Sequence, residues 1–408
     1  MIRYLLDPAR AGFIFAAALV FGYAIIPLWF YFQTGMNNGY IELALLALLA
    51  SAAVAFGFQG RNDTTASIGR IEVSLGTFTA AIWIPFLATA ALIVATAPAI
   101  PLVTALTGGS ADLIALQREE FLKSREGIAG IFVYLNAFFT GALVPYSVAL
   151  MFINKFRWRW LLTGLFLIYS ISFVEKAFFF KVILPLVYLF GTGLVRSRFG
   201  PKTTIATAAA ILLFVTTVSG SGSGDMVGTS ADFFSSDYAP SSPVAHIIWR
   251  AIAVPVFTAA DALRVFHTYF GSQLLYGATS NFFASIFGLE RIAFERIVFE
   301  VQWGQNETGT GSSNSVYITE AFINFGWFGV ILFSLFIGQS LKWFARSRDE
   351  AFRSIWLLYV MGLYSAGLVG QLLSNGFIVI LLIGLFVHVR SASGSSGVQK
   401  EKDFQWQT

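Results

Sequence analysis

In the stretch HIIWRAIAVPVFTAADALRVFHTYF, residues 246–270, polar side chains recur at helical spacing. At about 100° per residue, His246, Arg250, Asp261, Arg264 and Thr268 fall within an arc of roughly 60° on an otherwise apolar rod. Two arginines on such a stripe could turn guanidinium forks toward a cavity, a geometry suited to a diphosphate. The alternative is an interfacial helix whose Arg250 and Arg264 snorkel to lipid headgroups. Pro255 removes a backbone donor and crowds the carbonyl of Ala251, which predicts a kink or two shorter helices.

A second cluster lies in GLERIAFERIVFE, with Glu290, Arg291, Glu295, Arg296 and Glu300. Arg291 with Glu295, and Arg296 with Glu300, are spaced four apart, so an exposed salt-bridged helix explains them without a ligand. Against that, Arg250, Arg264, Arg291 and Arg296 all fall in one loop of a chain poor in external charge, which favours an anionic ligand there.

Glu175, Lys176 and Lys181 sit between two short apolar runs. They are either buried and functional or exposed in a turn at the outer interface. His267 has the chemistry of a general base near neutral pH, although a lone histidine on an aromatic helix is more often structural; His388 is read as structural. There is no P-loop, GxSxG elbow, HExxH or Asp-x-Asp pair, which argues against a cytoplasmic nucleotide-driven enzyme. The chain has no cysteine, so disulfides, thiolate metal sites and a cysteine nucleophile are excluded. The sequon Asn306-Glu307-Thr308 is too short a match to carry weight.

The elements that must position these residues are membrane helices. Of 408 residues 56% are apolar and 12% charged, with a mean hydropathy of +0.72, too few charges to clothe a soluble globule. No charge occurs between Arg10 and Glu42, Glu72 and Asp112, Glu126 and Lys155, or Glu320 and Lys342. Each run can hold a span, which needs about 20 apolar residues to cross about 30 Å of hydrocarbon. The first, 11–32, reads as a retained anchor rather than a cleaved signal. About ten spans are expected: 11–32, 40–58, 77–98, 128–153, 160–174, 177–195, 203–219, 326–341, 354–371 and 374–390. The run from Ser354 to Val389 holds two of them, turning at Gln371 to Gly376.

Arginine and lysine fall in alternate loops, which places both termini in the cytoplasm. The expected organisation is seven amino-terminal spans in 1–219, a large external loop in 220–324 with interfacial helices, three spans in 325–390, and a polar, disordered tail in 391–408. The large loop opens with a Gly/Ser/Asp linker and contains a second such segment, GQNETGTGSSNS. A smaller external loop, 99–127, carries an amphipathic helix from Asp112 to Glu126. No internal repeat is evident.

The run RVFHTYFGSQLLYGATSNFFASIFGLERIAFER, followed by SVYITEAFINFGWFGVILFSLFIG, resembles the bacterial oligosaccharide repeat-unit polymerases, the Wzy-type O-antigen and exopolysaccharide polymerases. The matching positions are Arg264, Gly277 with Thr279 and Ser280, Arg291 and Arg296, then Glu320 with Asn324, Gly326, Gly329 and Gly338. Glu290 stands where the family often has proline, and the expected lysine is replaced by arginine or displaced.

The resemblance implies an all-α, GT-C-like membrane protein that transfers a growing glycan from undecaprenyl diphosphate to an incoming repeat unit on the periplasmic face, without metal or cofactor. Arg264, Arg291 and Arg296, backed by Arg250 and Lys176, would stabilise the departing diphosphate. His267 and Glu320 would serve the acceptor hydroxyl, and Lys181 and Tyr269 complete the expected substrate-binding set. Lipid-linked oligosaccharides, membrane lipid, a chain-length-determining protein and a flippase are the expected partners; nucleic acid is not. The competing readings are an O-antigen ligase acting on lipid A core, a flippase or exporter of lipid-linked sugars, and a structural subunit of an export assembly. A transporter would distribute polar residues along several spans, whereas here they gather in one loop.

Overall fold

The computed structural model describes residues 2–35, 39–60, 71–123, 125, 127–174, 176–195, scattered positions within 203–217, 233–304 apart from 239, and 311–390 apart from 314 and 315. Most of the expected seventh span, most of the Gly/Ser/Asp linker, the sequon and the tail from Ser391 lie outside the described residues.

The chain is an all-α polytopic membrane protein. Among the described residues six helices are long and apolar enough to cross a membrane: α1 (Pro8–Thr34), α2 (Tyr40–Gln59), α3 (Leu75–Ala95), α4 (Ile131–Ile153), α7 (Pro243–Phe270) and α10 (Tyr317–Arg346). Shorter helices are α5 (Arg159–Ser172), α6 (Lys176–Thr192), α8 (Asn281–Phe287), α9 (Phe294–Trp303), α11 (Glu350–Ser354), α12 (Trp356–Ser365), α13 (Leu368–Leu372) and α14 (Phe377–Phe386). In the loop 99–127, a helix over Ala111–Arg118 runs into a π turn, Glu119–Lys123.

Two of the long helices solve the same local problem in the same way. Pro27 in α1 and Pro145 in α4 lack an amide hydrogen, and a proline ring inside a regular helix collides with the preceding turn. Each is preceded by a π turn, Phe21–Ile25 and Phe139–Leu143. The amide of Ile26 reaches back to the carbonyl of Phe21, and that of Val144 to Phe139, so the wider turn absorbs the proline without breaking the helix.

Helices α2 and α10 form the central pair. Added methyl groups at Gly57 and Gly338 would lie 2.6 Å from the carbonyl of Leu335 and 2.4 Å from that of Val54. The two backbones meet through small residues, the packing that membranes favour where hydrophobic driving force between helices is absent. The aromatic core around them buries Phe15, Tyr23, Tyr317, Trp356 and Tyr359.

Three expectations are corrected. First, α7 runs as one continuous helix through Pro255 rather than splitting into two, and it belongs to the span-length set. Its ends are set by Ser242, whose hydroxyl accepts from the amide of Ala245, and by Gly271 with φ +56°. Second, the run 354–371 is not one span, because α12 ends at Ser365 and α13 restarts at Leu368. Third, the last apolar segment is helical only to Phe386. Val387–Arg390 then forms a strand, β2, parallel to β1 (Ile71–Ser74), with Glu72 opposite His388 and an Arg390–Glu72 ion pair. His388 is therefore a strand residue.

Candidate active site

The site is built on a break in α10. Gly326, at φ +64° and ψ −158°, interrupts the helix in a conformation reserved for glycine. The break releases the carbonyls of Ile323 and Asn324 from helical bonding, and they accept instead from the amides of Leu275 (3.0 Å) and Tyr276 (2.9 Å). Asn324 completes the clasp. Its Oδ1 accepts from the amide of Gly277 at 2.9 Å, and its Nδ2 donates to Thr279 Oγ1 at 2.7 Å and to the carbonyl of Glu320 at 2.8 Å. The sequence pattern Gly277, Thr279, Glu320, Asn324, Gly326 is thus one local structure.

One turn before Asn324, Glu320 faces the gap between α12 and α13. Its Oε2 accepts from the amides of Leu368 (2.6 Å) and Val369 (3.5 Å), which α13 leaves unpaired at its start. Oε1 has no partner among the described residues. Gly367 packs directly on the carboxylate.

A cleft of about 280 Å³ opens beside it, lined on its polar side by Thr279, Arg291, Glu295, Ser313, Glu320 and Asn324. It joins a chamber of about 630 Å³ through Thr279, Arg291, Glu295 and Glu320, which line both. Beyond those four residues the chamber turns apolar, with Leu135, Phe138, Phe282, Val369 and Leu373. Burial pushes the Glu295 carboxyl above its ordinary value; its own backbone amide and the charges of Arg291 and Arg296 pull it partly back.

Of the expected catalytic residues, the structure brings Arg291 and Glu320 together. The expected Arg291–Glu295 helix pair is corrected, because α9 begins only at Phe294. Arg291 lies in the non-helical segment before it, fixed by the amide of Ile292 donating to the carbonyl of Ala278 at 2.9 Å. From that segment Arg291 lines the cleft.

The other candidates stand apart from the cleft lining. Arg264 pairs with Asp261 at 2.9 Å, bringing together two members of the predicted stripe. His267 places Nε2 2.7 Å from Glu42 Oε2 and Nδ1 2.7 Å from Ser272 Oγ, tying α7 to α2. Arg250 lies over the Trp249 ring at 5.6 Å from its centroid, and Arg296 and Tyr269 are exposed. Lys181 Nζ donates to Thr140 Oγ1 at 3.4 Å. Lys176 opens α6, and its side chain is outside the described residues.

Glu295, Ser313 and Gly367 were missed as site residues. Glu295 looked like one half of a surface pair, Ser313 like part of a flexible linker, and Gly367 like the interior of a span. The signal that could have found Glu295 is its position four residues after the cationic Arg291 in a segment that cannot all be exposed.

No curated protein and no solved structure matches the chain. Residues 295–396, which carry Glu295, Ser313, Glu320, Asn324 and Gly367, match the family model described as O-antigen polysaccharide polymerase Wzy, and the match supports a Wzy-type polymerase.

Proposed function

We propose that this chain polymerises undecaprenyl-diphosphate-linked oligosaccharide repeat units in O-antigen or exopolysaccharide synthesis, by block glycosyl transfer on the periplasmic face of the inner membrane. A hydroxyl of the incoming unit attacks the anomeric carbon of the growing chain. The new C–O bond forms as the bond to the prenyl diphosphate breaks, and the diphosphate leaves as an anion. Glu320 Oε1 takes the hydroxyl proton, since the other oxygen is occupied by two backbone amides. Arg291, which lines the cleft, stabilises the charge that grows on the leaving oxygen. The apolar chamber receives the first isoprene units.

A ten-span, GT-C-like arrangement with both termini cytoplasmic, the loop 220–324 outside and metal-independent chemistry belong to this reading. A flippase that supplies the substrate and a chain-length-determining protein are its natural partners. The observation that carries it is the placement of the unoccupied Glu320 oxygen and the Arg291 guanidinium in one cleft that continues into an apolar chamber. The test is polymer length in cells whose sole polymerase carries Glu320→Gln or Arg291→Ala. Single unpolymerised repeats at normal protein level are expected; a full-length ladder from both variants would overturn the assignment.

A further inference from the structure

The Arg264–Asp261 ion pair does not end at Asp261. Asp261 Oδ2 accepts from Gln302 Nε2 at 3.0 Å, and Gln302 Oε1 accepts from Ser313 Oγ at 2.5 Å. Ser313 is buried in the wall of the cleft, and its amide donates to the carbonyl of Glu295 at 2.9 Å. A second tie holds the middle of the chain, where Ser236 Oγ donates to the carbonyl of Gln302 at 2.8 Å.

The direction of each bond follows from the groups themselves. A carboxylate paired with a guanidinium only accepts, so Gln302 must turn its NH2 to Asp261. That leaves the amide oxygen for Ser313, and an oxygen cannot donate, so the hydroxyl proton of Ser313 is committed to Gln302. Ser313 therefore shows the cleft lone pairs and no proton. Glu295 on the same wall carries a second acceptor, while the cation of the cleft, Arg291, lies in the segment before α9. A wall of acceptors repels phosphate oxygens and suits the O–H groups of a sugar.

We propose that Ser313 and Glu295 form a sugar-hydroxyl subsite, and that Arg264, Asp261 and Gln302 are positioning residues that fix its acceptor polarity from outside the cleft. The inference rests on the polymerase reading above and assigns Arg264 a role different from gripping the diphosphate. Arg264→Lys separates the two: lysine keeps a charge for Asp261 but cannot reproduce a bidentate fork on a diphosphate.

The experiment uses the full chain in lipid nanodiscs with a prenyl-diphosphate-linked repeat unit, measuring initial rates of polymerisation. Ser313→Ala and Arg264→Ala are each expected to raise KM about three- to tenfold with kcat little changed, the loss of one neutral hydrogen bond in binding. Arg264→Lys should restore the wild-type KM, and Arg264→Ala should add nothing in a Gln302→Leu background. Arg264→Lys as damaging as Arg264→Ala, with the loss in kcat, would assign Arg264 to the diphosphate and overturn the relay. An unchanged KM for Ser313→Ala would overturn the subsite.

Binding of the unlinked repeat-unit oligosaccharide, released from the cell's own surface polymer, is read in parallel. Binding weakened by Ser313→Ala upholds the subsite even where no polymer forms, and unweakened binding sinks it. Failure of the polymerase reading shows separately, as wild-type protein that makes no product or as Glu320→Gln with full turnover.

Discussion

Gly367 and the carboxylate of Glu320 are in direct contact: a methyl group at residue 367 would lie 2.8 Å from both carboxylate oxygens. The absence of a side chain there lets Glu320 reach the amides of Leu368 and Val369. Gly367→Ala should leave the protein inserted at normal level while lowering polymerisation by more than about tenfold, as misplacement of a reacting group by a fraction of an ångström does. Membrane-fraction yield and polymer length check both halves, and an unaltered ladder would separate Glu320 from the chemistry.

Asn324 is a stability residue for the site. Replacement by Ala strands the amide of Gly277 and removes the partner of Thr279, both buried. The expected loss is about 1–3 kcal/mol for stranding a buried donor, seen as a lower melting temperature in detergent. A wild-type melting curve for Asn324→Ala would show that the clasp contributes nothing.

Gly338 packs against the backbone of α2, and a methyl group there would meet the carbonyl of Val54 at 2.4 Å and the amide of Phe58 at 2.9 Å. Because both are backbone atoms, the helices must separate. Gly338→Ala should cost about 1–3 kcal/mol by overpacking, lowering folded yield rather than the turnover of the protein that remains. Yield-corrected activity distinguishes this outcome from a catalytic effect.

Glu295 sets a pH dependence with a definite sign. Its carboxyl is raised by burial, so the folded protein holds a proton that the unfolded chain releases. Stability from this group is fully present below the ordinary carboxylate value of about 4.3 and falls as pH rises from there through the raised folded value. Glu295→Gln should remove that fall. Melting temperatures of the variant and wild type should converge at acid pH, with the variant ahead at neutral pH. A gap that instead closes as pH rises would contradict the burial argument.

The residues that the sequence groups in a compact pattern are also the ones the structure bonds together. Gly277, Thr279, Glu320 and Asn324 stand in two short segments, and the structure joins those segments through Asn324. Arg264 was legible as a cation but not in its partner. Asp261, one turn earlier on the same stripe, takes it. His267 could not be placed from spacing either, because Glu42 lies on a distant helix. The restart at Leu368 was hidden for a different reason: a continuous apolar run has no polar face, so no periodicity marks where one helix stops and the next begins. Arg291 and Glu295 misled by fitting a helical spacing in a segment whose first residues are not helical.

The clasp around Gly326 fastens residues 275–279 to the start of α10 by two backbone bonds and the whole of one asparagine side chain. That half of the cleft must travel as a single body. Across the cleft, Glu320 meets the segment between α12 and α13 through its bonds to the amides of Leu368 and Val369 and its contact with Gly367. Any displacement of the short segment between α12 and α13 would break the Glu320 bonds, so the aim of that carboxylate is tied to where Leu368 and Val369 sit.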